Sequence, residues 1–204
     1  MSETVNPLAD TIIGLYERHA RAFDADRNRS LFEKVWLDRF TALLPVGGAI
    51  LDIGCGSGEP IARDLIRRGF ALTGIDSSPT LISLCQQRFP EWNWCIGDMR
   101  KLALEQIFDG LIAWDSMVHL AHEDQRRMFP IFGANAAPGG ALLFTAGPAH
   151  GEAIGSYRGE PLYHASLAED EYRSLLDENG FAVVKHLAED PDCSGHTVWL
   201  ARRT

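Results

Sequence analysis

Apolar and polar positions alternate along this chain in two rhythms. Residues 8 to 22, LADTIIGLYERHARA, carry helical spacing and predict a first helix. The polar break DADRNR follows. Ser30, with Glu33 three residues on, forms a capping-box pattern, and Phe32, Trp36, Phe40 and Leu43 then share a helical face. Pro45, Gly47 and Gly48 end that helix. The apolar run around Ile50, Leu51 and Ile53 predicts a buried strand. Helix IARDLIRR follows Pro60, and FALTGID predicts the second strand. Ser78 and Pro79 open a helix to about Phe89. WNWCIGD and FDGLIAWD are strands three and four. HEDQRRMFPIF is a helix bent or ended near Pro130, and GGALLFT is strand five. Residues 147 to 165 carry no strong periodicity and predict a long connection. Ser166 and Glu169 form a second capping-box pattern before a helix through Glu178, with Gly180 as its cap. FAVVKHLA and TVWLARR, joined by AEDPDCSGH, predict a closing hairpin.

Alternating strands and helices imply an α/β chain with a mostly parallel sheet covered on both faces. The closing hairpin adds one antiparallel strand. Ligands of such sheets bind at the carboxyl ends of the strands, where strand order reverses.

The chain has 204 residues, which suits one domain better than two. Its formal charge of −9 disfavours a non-specific grip on nucleic acid. No apolar stretch approaches the length of a membrane span, and the start of the chain lacks the pattern of a secretory signal. A cytoplasmic protein without membrane partners is therefore expected; oligomeric state is not legible. The four cysteines include no CxxC pair, and the histidines and carboxylates show no HExxH cluster, so no metal site is expected.

The chemistry concentrates in LDIGCGSGE. Gly54, Gly56 and Gly58 follow a strand and precede a helix, where glycine permits a sharp turn and close approach of a ligand to the main chain. A dinucleotide fingerprint needs a glycine where Glu59 stands, so a pyrophosphate would meet a carboxylate. No Gly-Lys pair exists for a P-loop. The expected ligand is a nucleoside lacking a pyrophosphate. Asp76, at the end of strand two, is placed to accept from both ribose hydroxyls; its alternative role is to cap the next helix, which Ser77 or Ser78 would do equally well. Asp98 could accept from an adenine amino group, with Met99 against the ring.

With these residues in place, the chain resembles the class I S-adenosylmethionine-dependent methyltransferases from about Ile50 to Arg203. LDIGCGSG looks like that family's first motif, and GIDSS and GDM look like its second and third acidic positions. The resemblance implies a Rossmann-like, doubly wound seven-stranded sheet ending in the antiparallel hairpin. It implies a single methyltransferase domain over 1–204, with an N-terminal helical cap over 1–46 and a core over 47–204. S-adenosylmethionine is the implied cofactor. Asp52, Gly54, Cys55, Gly56 and Gly58 would hold its methionyl part. Asp76 and Ser77 would face the ribose, and Asp98 and Met99 the adenine. Trp114, Asp115 and Ser116 would line the region of the reactive methyl.

The strand-four end carries neither the Pro-Pro-aromatic signature nor the Pro-Cys nucleophile of the family's nucleic-acid members, which points to an oxygen or nitrogen of a small-molecule acceptor. His119 is the candidate base, with a pocket or packing role as its alternative. The 147 to 165 segment is a candidate substrate lid carrying His150, Tyr157, Tyr163 and His164; its alternative is a solvated excursion. The last hairpin is expected at the same edge, with His196, Asp190 and Asp192 within reach of the site; their alternative is an ordinary surface position. Tyr16, His19 and Phe23 share a face of the first helix and are candidates to cover the methionyl end. Competing functions are a nicotinamide oxidoreductase, which Glu59 opposes, and a non-catalytic nucleoside-binding module.

Overall fold

The computed structural model describes residues 6–204. The first five residues of the expected cap, and of the stretch read for a secretory signal, lie outside the described residues. A 3-10 turn, Pro7–Thr11, leads into α1, Ile12–Asp26, and then α2, Lys34–Thr41. The alternating region follows as β1 (Ala49–Ile53), α3 (Ile61–Arg67), β2 (Ala71–Asp76), α4 (Pro79–Arg88), β3 (Asn93–Ile96), β4 (Phe108–Ala113), α5 (His122–Asn135) and β5 (Ala136–Ala146). The chain closes with β6 (Gly151–Tyr157), β7 (Glu160–Ser166), α6 (Glu169–Glu178), β8 (Phe181–Asp190) and β9 (His196–Arg203).

Seven strands form one sheet in the order β3-β2-β1-β4-β5-β9-β8. All neighbours from β3 to β5 are parallel, and β9 runs antiparallel between β5 and β8. This is the doubly wound α/β sheet that the sequence predicts. Strand order reverses between β1 and β4, so their carboxyl ends splay apart into a crevice. Alternation along β1 sends Ile50 to a core that includes Trp36, Phe40 and Leu65, and Leu51 and Ile53 to one that includes Phe129, Phe144 and Trp199. The α2 side chains Trp36, Leu37 and Phe40 are fully buried, so α2 belongs to the sheet's own packing.

Four local expectations change. Glu33 forms no capping box: it is buried and receives the Arg27 guanidinium at 2.6 Å, while Ser30 sits in a turn donating its amide to Asn28. Ser166 ends β7, its hydroxyl donates to the Gly147 carbonyl, and α6 starts without a side-chain cap. The α5 helix runs through Pro130, which faces solvent, while Met128, Phe129 and Phe132 hold the helix to the core. Residues 147 to 165 are no irregular excursion but a two-stranded hairpin, turning at Arg158 and Gly159. Both have positive φ, 51° and 83°, as a tight two-residue hairpin turn requires.

Candidate active site

A cavity of about 760 Å³ opens at the carboxyl ends of β1, β2, β4 and β5. That volume lies within the roughly 300–1,000 Å³ of small-molecule sites. Its floor begins with the glycine loop. Gly54 has φ +78°, and a Cβ there would lie 2.3 Å from that of Ser116, so only glycine lets the loop meet the end of β4. Ser116 in turn donates its hydroxyl to the Ile53 carbonyl at 2.7 Å. The amides of Gly54 and Cys55 both donate to the Ile75 carbonyl.

Asp76 joins the two strand ends. Its Oδ2 accepts the Gly56 amide and its Oδ1 the Ser78 amide, each at 2.9 Å. Capping of α4 falls to Ser78, whose hydroxyl accepts from the Leu81 amide. The Ser77 amide is a third backbone donor to the Asp76 carboxylate. Asp52, at the end of β1, is 4% exposed and lines the cavity. Burial, with the neighbouring charge of Asp76 second, pushes its carboxyl up to about 7. No cation pairs with Asp52 or Asp76 among the described residues.

At the β3 end, Asp98 and Met99 line the cavity, but Asp98 is already engaged. Arg100 Nη2 donates to it at 2.7 Å and Arg100 Nε at 3.0 Å. Burial raises the Asp98 carboxyl, and Arg100 outweighs burial and holds it below its usual range.

His119 is buried on the floor beneath α1. Its Nδ1 lies 2.8 Å from the Tyr163 carbonyl, which only accepts, so Nδ1 carries the proton. Nε2 therefore accepts, and its partner is the Tyr16 hydroxyl at 2.9 Å. Burial drives the imidazole down to about 4, so it is neutral near pH 7. Burial first, then the charges of Asp115 and Asp76, raise the Tyr16 phenol, which stays protonated. The expected free base is an acceptor already filled by a phenol.

A second pair stands across the cavity. His196 Nδ1 lies 2.8 Å from the Cys193 carbonyl and Nε2 lies 3.0 Å from Asp115 Oδ1. Its hydrogen bond to Asp115 raises His196, and burial, pushing Asp115 up, is outweighed by His196, so Asp115 lies below its usual range. The pair is an imidazolium and a carboxylate. The imidazole sits between Phe32 and Trp114, at centroid distances of 5.3 and 5.6 Å.

The roof is α1 and the β6–β7 hairpin. Tyr16 and Phe23 descend from α1 into the cavity, their rings edge to face at 5.2 Å. Glu17 pins α1 to the start of α4 through Ser78 and Thr80, and Asp24 pins it to Arg88. The hairpin grips the other side through Arg158 to Asp26, His19 to Glu160, Arg18 to Glu160, and Asn6 to Glu152.

Of the expected acceptor residues, His150, His164 and His196 line the cavity, with Cys55, Ser77, Trp114 and Ser116 among its other expected walls. Two are corrected. Tyr163 is fully buried under α1 beside Ile12, its hydroxyl donating to Glu152, and reaches the site only through its carbonyl. Tyr157 lies outside, donating to Asp26. Asp190 and Asp192 stay out as well; Asp190 receives the buried Trp36 indole N–H at 2.8 Å. Sequence reasoning missed Arg27, Thr145 and Thr197 in the lining. Arg27 was legible in principle: it follows Tyr16 and Phe23 by 11 and 4 residues, on one helical face.

The glycine loop, the acidic strand ends and the sheet order together define a Rossmann-like methyltransferase architecture. Residues 50–140 match the family described as "Methyltransferase domain". Over 107 residues it is 33% identical to a magnesium-protoporphyrin O-methyltransferase of Rhodobacter capsulatus, matching 50% of this chain and 46% of that protein. Over 136 residues it is 32% identical to the putative methyltransferase YqeM of Bacillus subtilis, matching 64% and 54%. The chain thus spans about half the length of these curated relatives. In fold it is similar to a Burkholderia thailandensis 1,6-didemethyltoxoflavin-N1-methyltransferase solved with bound 1,6-didemethyltoxoflavin and S-adenosylhomocysteine. That match has a TM-score of 0.73 and 18% identity, covering 100% of this chain and 93% of that one.

Proposed function

We propose that the protein is an S-adenosylmethionine-dependent methyltransferase whose acceptor is a small molecule. The observation that carries this reading is the pair Asp52 and Asp76. A buried carboxylate and a half-buried one beside a glycine loop, neither ion-paired among the described residues, suit a positively charged nucleoside. The doubly anionic pyrophosphate of a nicotinamide dinucleotide would be repelled there.

Asp76 would accept from the ribose hydroxyls. Asp52 would balance the ligand's positive charge. Asp98 and Met99 would bound the base. When bound, S-adenosylmethionine supplies a methyl group made electrophilic by its sulfonium. The chain's task is then orientation and exclusion of water. The roof of α1 and the hairpin serves both, and a cavity of about 760 Å³ favours a small acceptor over a polymer.

Titration calorimetry tests the reading. S-adenosylmethionine and its demethylated product bind, and the nicotinamide dinucleotide does not. Asp76→Ala loses charge-assisted hydrogen bonds worth roughly 1.5–3 kcal/mol, so affinity falls about tenfold to a hundredfold. Tight dinucleotide binding without response to the sulfonium compound would reject the proposal.

A further inference from the structure

We propose that Asp115, held in place by His196, is the docking point of the acceptor's reacting group, so that this group is a hydrogen-bond donor, an amine or a hydroxyl, and not a carboxylate. The inference rests on the methyltransferase reading and narrows its acceptor.

Asp115 is the residue where β4 stops. Its φ is +49°, outside ordinary strand geometry, and its amide is fixed by the Thr145 hydroxyl at 2.8 Å. This turns the carboxylate sideways off the strand and into the cavity, where the side chain remains 40% exposed. Behind it stands His196. The usual order of a carboxylate, an imidazole and a reacting group is reversed here: the imidazole is at the back and the carboxylate at the front. His196 has nothing left to offer a ligand. One nitrogen faces the Cys193 carbonyl, the other faces Asp115, and Phe32 and Trp114 flank the ring. Both nitrogens meet acceptors, so both carry hydrogens.

The imidazolium compensates Asp115 for its partial burial and leaves its side chain 40% exposed. Thr145, whose hydroxyl lies 3.4 Å from Asp115 Oδ1, is the other donor to the carboxylate, and the remaining groups are engaged elsewhere. Arg27 is ion-paired to the buried Glu33, and His119 is occupied by Tyr16 and the Tyr163 carbonyl. Burial lowers His164, which favours its neutral form. Glu189 adds a second carboxylate to the lining. A donor N–H or O–H gains a charge-assisted hydrogen bond at Asp115. A carboxylate acceptor would be set against a fixed negative charge.

Asp115 is also separate from the carboxylates assigned to the nucleoside. Asp52 and Asp76 lie at the ends of β1 and β2, and Tyr16 stands within electrostatic reach of both Asp76 and Asp115.

The probes are benzylamine and benzoate, which share a ring and differ in the group presented. Each is titrated into the free protein and into protein loaded with S-adenosylhomocysteine, following the His196 imidazole resonances by NMR. Benzylamine is expected to bind and shift His196, and benzoate to bind at least tenfold more weakly. Asn tolerates positive φ well, so Asp115→Asn should keep the backbone. It is expected to weaken benzylamine tenfold or more and to leave S-adenosylhomocysteine affinity within about threefold, one decade being 1.4 kcal/mol. His196→Gln removes the internal cation and keeps an N–H toward Asp115; benzylamine should then bind as tightly or tighter. A purely structural pair would lose binding in both variants. Benzoate binding as tightly as benzylamine overturns the proposal, as does absence of benzylamine binding. So does an Asp115→Asn protein that loses the nucleoside and keeps the amine. Failure to bind S-adenosylhomocysteine rejects the methyltransferase reading instead, and the free-protein titrations still decide Asp115.

Discussion

His119 lies in the turn beyond β4, where it faces the Tyr16 hydroxyl and the Tyr163 carbonyl, contacts that suit the pocket role given as its alternative. Its Nε2 is held by the Tyr16 hydroxyl, so removing it strands a phenol beneath the roof. Leaving such a group unsatisfied costs about 1–3 kcal/mol. His119→Ala should therefore lower the melting temperature and weaken nucleoside binding, whereas His119→Gln, which keeps an acceptor, should retain most turnover. The sign of its pH effect follows from a folded value of about 4 against the ordinary 6.5. The unfolded chain binds the extra proton between those values, so stability is full above pH 6.5 and falls progressively toward pH 4. Urea titrations across that range, with and without His119, check it. Asp52 behaves oppositely. Its folded value of about 7 exceeds the ordinary 3.8, so the folded state holds the proton longer and stability declines from pH 4 to 7. A cationic nucleoside needs the ionised form. Its affinity should rise with pH by up to about tenfold per unit below pH 7 and then level off. Asp52→Asn should bind weakly and flatten that profile.

The elements were legible where they are regular and buried. The strands β1, β2, β4 and β5 declare themselves because their side chains pack on both faces. The hairpin was not, because β6 exposes nearly all its residues and leaves no apolar alternation to read. The two capping boxes failed for a related reason. Glu33 and Ser166 match a local pattern but are taken by Arg27 and the Gly147 carbonyl, contacts that a window of four residues does not contain. In the site, the glycine loop and its acidic neighbours could be read because they are local in sequence. Asp115 with His196 spans 81 positions, and Tyr16 with His119 spans 103, so neither pairing was visible. The roof yields its own expectation. It is fastened largely at its rim by exposed ion pairs, which salt screens. Hydrogen exchange in α1 and in residues 151–166 should be faster in high salt and in Asp26→Asn, and slower with nucleoside bound. Equal exchange in all these states would count against a roof that opens.

On the scale of the whole molecule, floor and roof differ in origin. The floor is made by strand ends that adjoin one another in the sheet, whereas the roof brings an N-terminal helix against a hairpin made much later in the chain. A ribosome adding about 5–20 residues per second needs roughly 7–30 s to pass from His19 to Glu160, 141 positions apart. During that interval α1 exists without its clasp, carrying Tyr16 and Phe23 with no ceiling to form. The final partner of the sheet comes later still, since β9 enters between β5 and β8. Emergence order thus makes closure of the reaction chamber a late event of biosynthesis, and a nascent chain stalled before residue 160 would expose the apolar underside of α1 to any chaperone at the exit tunnel.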